Sequence, residues 1–301
     1  MPCLKINFIF VRTMYVLIGD SGSTKTDWAY ISDGERKIFT TQGLNPNHLS
    51  EMDILHILKD ELNPQANLQS IEKVAFYGAG LGNIKAKEFL TDIFRRVFKN
   101  AQKITVEHDV LGAAHALYTP NEQGIVCILG TGSIAGYFDG NEIVKTSGGL
   151  GYLLGDEGSG TYLGKLLIAQ YAQGKLPHHL ETALQTHIQV KSTEALHFLY
   201  KEPHPNRFMA QLTRFLYPLK KEETIKNILH TAFEDFYKYT LSYLRTLYPD
   251  CTTIRCVGSV AYLFQEELLS VMQKHNIQID KVVQKPIQGL VESVLNTSKT
   301  K

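Results

Sequence analysis

The chain has 301 residues, with 31 basic against 30 acidic side chains for a formal net charge of +1, and it is 44% hydrophobic. That length suits two domains with cores of their own, in an ordinary globular composition, and so balanced a charge offers no electrostatic footing for nucleic acid or an anionic membrane. Four scattered cysteines, Cys3, Cys127, Cys251 and Cys256, lack paired metal-ligand spacing and fit a reduced, cytoplasmic compartment.

In chain order, the apolar run around Leu4 to Val11 is short for a leader, and no small-residue cleavage site follows it. Met14 directly precedes the first strand, so translation is expected to start there, with residues 1–13 as an upstream extension. Tyr15 to Gly19 then reads as a strand that delivers Asp20 into a turn of small and hydroxyl residues, from which Thr26 to Ser32 returns. Such a hairpin has two readings. It is an ordinary Ser- and Gly-rich turn, or it is a phosphate cradle. In the second reading Gly22 lets successive N–H groups point at an anion, Ser21, Ser23, Thr24 and Thr26 add hydroxyls, and Lys25 adds charge. Asp20 at the strand end could then hold Mg²⁺ through water.

Glu35 to Thr41 reads as a third strand, followed by Gly43-Leu-Asn-Pro-Asn-His48, in which Asn45-Pro46 is a turn signal. Asn47 and His48 in that turn can present amide and imidazole groups to a polar ligand. Ser50 opens a helix, Lys73 to Tyr77 forms a strand ending in Gly78-Ala-Gly-Leu-Gly82, and Asn83 caps a helix to about Phe98. The strand and helix alternation argues for an α/β fold. Lys103 to Glu107 is a further strand, and Asp109 stands where it gives way to the helix Val110 to Leu117. An aspartate there is a helix N-cap, or a base at the carboxyl end of a strand, where α/β sheets place their ligands.

A second glycine turn bears on that choice. The apolar strand Gly124 to Leu129 leads into Gly130-Thr-Gly-Ser133 and another strand, Ile134 to Phe138, so the arrangement of the opening hairpin occurs twice. Together with Gly19-Asp-Ser-Gly-Ser-Thr-Lys-Thr26, Gly43-Leu-Asn-Pro-Asn-His48, His108-Asp109, Gly148-Gly-Leu-Gly-Tyr-Leu-Leu-Gly-Asp-Glu-Gly-Ser159 and Val257-Gly-Ser-Val260, it resembles the actin, sugar kinase and Hsp70 superfamily. Within that superfamily the six stretches, in order over nearly the whole chain, are similar to the N-acetylglucosamine kinases of the BadF/BadG/BcrA/BcrD ATPase family.

The resemblance implies two ribonuclease H-like, actin-like ATPase domains facing a nucleotide and sugar cleft. They would span 14–118, with the C-terminal helix 286–301 packing back on them, and 119–285, the second domain carrying extra helices. It further implies ATP and Mg²⁺ as cofactors. Asp20, Ser21, Gly22, Ser23, Thr24, Lys25 and Thr26, with Gly130, Thr131, Gly132 and Ser133, would grip the phosphates. Asp20 would hold the metal through water, and Gly258 and Ser259 would form the adenosine turn. Asn47, Gly149, Gly151 and Asp156 would hold the sugar, and Asp109 would be the general base. The implied activity is phosphorylation of N-acetylglucosamine at its 6-hydroxyl, with an ATPase or regulatory nucleotide- and sugar-binding protein as the alternative. A cytoplasmic protein assembled as a homodimer is the form relatives suggest. Without the resemblance, Asp156-Glu157 reads as charge complementing a helix N-terminus, worth ~0.3 to 1 kcal/mol.

The chain departs from the family at Leu150, where the animal N-acetylglucosamine kinases have tryptophan. The zinc cysteines and Glu-x-Gly-His motif of the repressor-type sugar kinases are absent. No cysteine falls between Cys3 and Cys127 to hold the cluster of the redox-activating ATPases.

Downstream, Tyr162–Gln173, Pro177–His187, Ser192–Tyr200, Asn206–Tyr217 and Glu222–Leu247 carry apolar residues at helical spacing, broken by Pro203, Pro205 and Pro218. The histidines among them form no metal-ligand pattern, and Phe233, Phe236, Tyr237, Tyr239 and Tyr243 read as core or dimer surface. Thr253 to Val257 is a buried strand before Gly258, Ser259 and a helix to about Lys274. Ile277 to Val283 is the last strand, and Ile287 to Leu295 the last helix.

Overall fold

The computed structural model describes residues 15–32 and 35–296, so the expected extension over residues 1–13 lies outside the described residues. By internal contact the chain forms two units, one of residues 1–21 and 25–107, the other of residues 22–24 and 108–301.

The first unit is built on a five-stranded sheet: β1 (Val16–Ser21), β2 (Lys25–Ser32), β3 (Glu35–Gln42), β4 (Lys73–Gly78) and β5 (Lys103–His108), in the order β3-β2-β1-β4-β5. β1 pairs antiparallel with β2 and parallel with β4, so β1 is central and buried on both faces. Helix α1 (Glu51–His56), started by a reciprocal Ser50 and Asp53 capping box, and α2 (Ile84–Val97), capped by Asn83, bury Ile54, Leu90, Ile93 and Phe94 with this sheet. Trp28 anchors the core: it is fully buried against Phe76, and its Nε1–H donates to Thr41 Oγ1 at 2.9 Å.

The second unit repeats the plan with β6 (Gly124–Leu129), β7 (Ser133–Phe138), β8 (Ile143–Gly148), β9 (Thr253–Val257) and β10 (Gln278–Val283). Taken from the β8 edge, its order is β8-β7-β6-β9-β10. Two antiparallel strands on one side of the first strand and a parallel neighbour on the other match the first sheet, and the two strand orders correspond. The edge strand β8 gives no clear signal in the sequence, because its centre, Val144 to Thr146, is polar or exposed. Between β8 and β9 the chain inserts helices from Gly151 to Leu247, the extra helices expected for this half.

Helix α3 (Asp109–Leu117) packs Val110, Ala113, Ala114 and Leu117 on Val126, Phe138 and Val257 of the second sheet. The C-terminal helix Ile287–Asn296 crosses α3 closely, with Gly289 against the Ala116 carbonyl, where a Cβ would clash. By contact both helices group with the second unit, and the contact division falls between Glu107 and His108. The expected helix Glu222–Leu247 forms as Glu223–Phe236, a widened π-helical turn Tyr237–Leu241, and Ser242–Leu247. Its Phe233 and Phe236 are core, whereas Tyr239 and Tyr243 are exposed. Cys127 and Cys256, far apart in sequence, sit side by side in register on β6 and β9 as free buried thiols.

Candidate active site

In the first unit, Ser21 and Thr26 face each other at the neck of the β1–β2 hairpin, their hydroxyls 2.8 Å apart and buried. Ser21 Oγ also accepts the Leu44 N–H at 2.9 Å, and Thr26 Oγ1 donates to the Gln42 carbonyl at 3.2 Å. These two hydroxyls brace the hairpin from within. Gly22, Thr24 and Lys25 are exposed at its tip, with Ser23 and Asp20 partly so. Lys25 Nζ lies 3.0 Å from the Asp27 carboxylate, which also accepts from Thr40 at 2.7 Å, so the lysine is steered by its own strand.

The Ser21–Leu44 bond ties the hairpin to the Gly43–His48 turn. There Asn45 is buried, its Oδ1 accepts the Asn47 N–H at 3.0 Å, and its amide fills the space beside Gly80, at φ 82°. Asn47 itself is exposed, with its Nδ2 also beside Gly80. The part of Gly78–Gly82 in shaping this turn was not evident from sequence. Its signal was a glycine that must take positive φ after a strand.

In the second unit four loops converge. Gly130 N–H turns back on the Gly132 carbonyl at 2.9 Å, and the Gly130 and Thr131 carbonyls accept the N–H groups of Gly160 and Thr161 at 2.8 and 3.2 Å. Ser133, buried, donates its hydroxyl to the Glu157 carbonyl at 2.6 Å and its N–H to Asp156 Oδ1 at 3.3 Å. Gly149 N–H donates to the Ser133 carbonyl at 3.0 Å. Gly258, at φ 120°, brings the turn after β9 so close to Leu129 and Gly130 that a Cβ would run into the Leu129 carbonyl. The second hairpin, Gly149, Asp156 and the Gly258–Ser259 turn are thus one local assembly. Gly151, at φ 77°, continues the Gly149 loop into the short helix α4 (Gly151–Leu154), on an exposed stretch.

Asp156 does not complement the following helix. Helix α5 (Gly160–Ala172) is capped by Ser159, whose Oγ accepts the Tyr162 N–H at 3.1 Å, while Asp156 turns its carboxylate to the hairpin. It holds φ 62°, a conformation that costs a non-glycine residue energy and recurs at functional sites. Burial raises its carboxyl, opposed by the Ser133 N–H.

Asp109 is the first residue of α3, and the N-cap is His108, whose Nδ1 accepts the Leu111 N–H at 3.3 Å. The Asp109 carboxylate, relieved of the capping role, accepts the adjacent Val110 N–H at 2.9 Å, and burial pushes it up to about 6. A partly accessible carboxylate poised near neutrality suits proton transfer. Among the described residues no cluster of three His, Cys, Asp or Glu side chains can cage a metal ion, and no helix is long and apolar enough to cross a membrane.

A duplicated β-sheet plan of this order, with glycine hairpins at the first β-turn of each half, is the actin-like ATPase fold that sugar kinases share. A ROK family glucokinase from Streptomyces griseus, solved with glucose and AMPPNP, has that fold, with a TM-score of 0.59 at 14% identity over 93% of this chain and 97% of its own. The family model of the BadF/BadG/BcrA/BcrD ATPases matches residues 19–292, and the chain belongs to that family. It is similar to a candidate N-acetylglucosamine kinase from Porphyromonas gingivalis, at 36% identity and a TM-score of 0.86 over 93% of this chain and 99% of that one. The N-acetylmuramic acid/N-acetylglucosamine kinase of Clostridium acetobutylicum is 24% identical over 238 residues, 74% of this chain and 77% of that relative.

Proposed function

We propose that this chain is a sugar kinase that moves the γ-phosphoryl group of ATP to the 6-hydroxyl of N-acetylglucosamine, with Asp109 as general base. The observation that carries the reading is the Asp109 carboxylate, raised to about 6 at the start of α3 in a chain of this family. The names of the Porphyromonas gingivalis and Clostridium acetobutylicum relatives support the acceptor.

In this reading Asp109 takes the proton of the sugar hydroxyl as its oxygen bonds to the γ-phosphorus, and the bond to the β-γ bridging oxygen breaks to leave ADP. Backbone N–H groups and the outward hydroxyls of Ser23 and Thr24, with Lys25, orient the phosphates from the first hairpin, as Thr131 and Gly132 do from the second. Ser21, Thr26 and Ser133 hold those hairpins in shape. Gly258 and Ser259 seat the adenosine, while Asn47, Gly149, Gly151 and Asp156 orient the sugar. Asp20, a single partly exposed carboxylate at the end of β1, fits Mg²⁺ kept through water, since that ion retains several waters and takes its other ligands from phosphate. When bound, the ion supplies charge neutralisation to the phosphates.

One observation favours N-acetylmuramic acid as a second acceptor. The Clostridium acetobutylicum relative is named for both acceptors. Phosphorus NMR and mass spectrometry of the product from Mg·ATP and N-acetylglucosamine test the reading. A 6-phosphate is expected, and phosphate at another hydroxyl, or no sugar phosphate, contradicts it.

A further inference from the structure

Thr240 is fully buried, and its Oγ1 has no hydrogen-bond partner among the described residues. It lies in the widened turn Tyr237–Leu241, where the Ser242 N–H reaches back five residues to the Tyr237 carbonyl. Turns of this kind recur at functional sites, and a buried orphan hydroxyl carries a desolvation cost that a second state with a partner would explain.

The group beside Thr240 can supply that partner. A Cβ at Gly148 would lie 3.0 Å from Thr240 Oγ1 and 3.1 Å from its Cγ2. Gly148 and Gly149, at φ 79° and 70°, flank one peptide whose N–H donates to the Ser133 carbonyl at 3.0 Å. Without a Cβ on either side, that peptide rotates at low steric cost. The two faces of the strand are different. Thr240 lies beneath Gly148. Gly149 sits over Ile134, on the face that α3 covers through Val110 and Gly136.

We propose that the Gly148–Gly149 peptide is a two-position element whose second position is held by Thr240. In it the Gly148 carbonyl accepts the Thr240 Oγ1–H. The Gly149 N–H, released from Ser133, turns to the face of α3, where it donates to an oxygen of the bound sugar. Thr240 is then a positioning residue for substrate. The identity of that ligand rests on the kinase reading, whereas the peptide rotation does not.

The test compares the full chain with Thr240→Val, which keeps the shape and loses the hydroxyl, and Thr240→Ser, which keeps the hydroxyl. With saturating Mg·ATP, the valine variant is expected to raise KM for N-acetylglucosamine roughly three- to tenfold, with kcat and the KM for ATP unchanged and the serine variant near parental. In the free protein, NMR hydrogen exchange of the Gly149 amide should slow in the valine variant, since its open position loses its partner. The valine variant should melt at or above the parental Tm. A parental KM in Thr240→Val, equal impairment in Thr240→Ser, or a lowered Tm in Thr240→Val overturns the proposal. Were the parent to phosphorylate no sugar, the kinase reading would fail by itself. The rotation would then stand or fall on Gly149 exchange, with equal rates in parent and Thr240→Val overturning it.

Discussion

The Asp156 carboxylate accepts the Ser133 backbone N–H at 3.3 Å, adding a charged acceptor to the neutral bond that Ser133 makes to the Glu157 carbonyl. The same carboxylate crowds Gly132, where a Cβ would lie 3.0 and 3.1 Å from its two oxygens. Asp156→Gly separates its two roles, because glycine relieves the positive φ while deleting the acceptor. Chemical denaturation should find that variant within about 1 kcal/mol of the parent. Sugar-dependent turnover should nonetheless fall at least tenfold. Parental turnover would remove Asp156 from the sugar site.

Gly258 shows the opposite balance. Any side chain there meets the Leu129 carbonyl at a φ of 120° that L-residues rarely adopt. Gly258→Ala should cost about 3 kcal/mol or more in urea unfolding, because β6 and the turn after β9 must separate. In protein that still folds, KM for ATP should rise more than KM for sugar. A variant as stable as the parent would mean that the turn relaxes freely.

Burial raises the Asp109 carboxyl from 3.8 to about 6, so the folded chain binds this proton more tightly than the unfolded one. The resulting stabilisation is complete below about 3.8 and lost as pH rises through about 6. By about pH 8 the charged group should cost about 2 kcal/mol, less than the full linkage value because water still reaches it. Thermal melts of Asp109→Asn should therefore gain on the parent from about pH 4 to about pH 8. A difference that does not change with pH contradicts the raised carboxyl. In the active protein, kcat/KM should fall as pH drops below about 6, where the base is protonated.

Much of this was legible because its signals are local. Both glycine hairpins, Asn83 as a cap and the strand Thr253–Val257 follow from a few consecutive residues each. The sequence left Asp109 between cap and base. The structure gives the capping bond to His108, one residue earlier, because β5 runs on through that position. What could not be read is long-range. Asn45 against Gly80, Asp156 on Ser133, and Thr240 beneath Gly148 each join segments at least 23 residues apart, and no periodicity encodes such meetings. The strand β8 was also missed, since an edge strand with one neighbour needs little apolar character.

Arg255 illustrates a further long-range tie. From β9 it reaches the Leu117 carbonyl at the end of α3 at 2.8 Å, both oxygens of Glu122 at 3.0 and 3.1 Å, and Asp280 at 2.7 Å, with Tyr118 under its guanidinium. The Arg255 bonds hold the Glu122 carboxyl down at about 2. Arg255→Ala should cost about 2 kcal/mol in denaturant unfolding, and Arg255→Lys should recover less than half, since an ammonium cannot span these acceptors as a fork does. Full recovery by lysine would reduce the arrangement to simple charge.

The most direct measurement of the central claim is ADP release by the purified protein with Mg·ATP. The panel is N-acetylglucosamine, N-acetylmuramic acid, glucosamine, N-acetylmannosamine, glucose and no sugar, with Asp109→Asn run beside the parent. The account predicts release that depends on N-acetylglucosamine and falls by ~10² to 10⁴-fold in the variant, while nucleotide binding stays near parental. Release that is equal with and without every sugar, or an Asp109→Asn protein turning over at the parental rate, would contradict it.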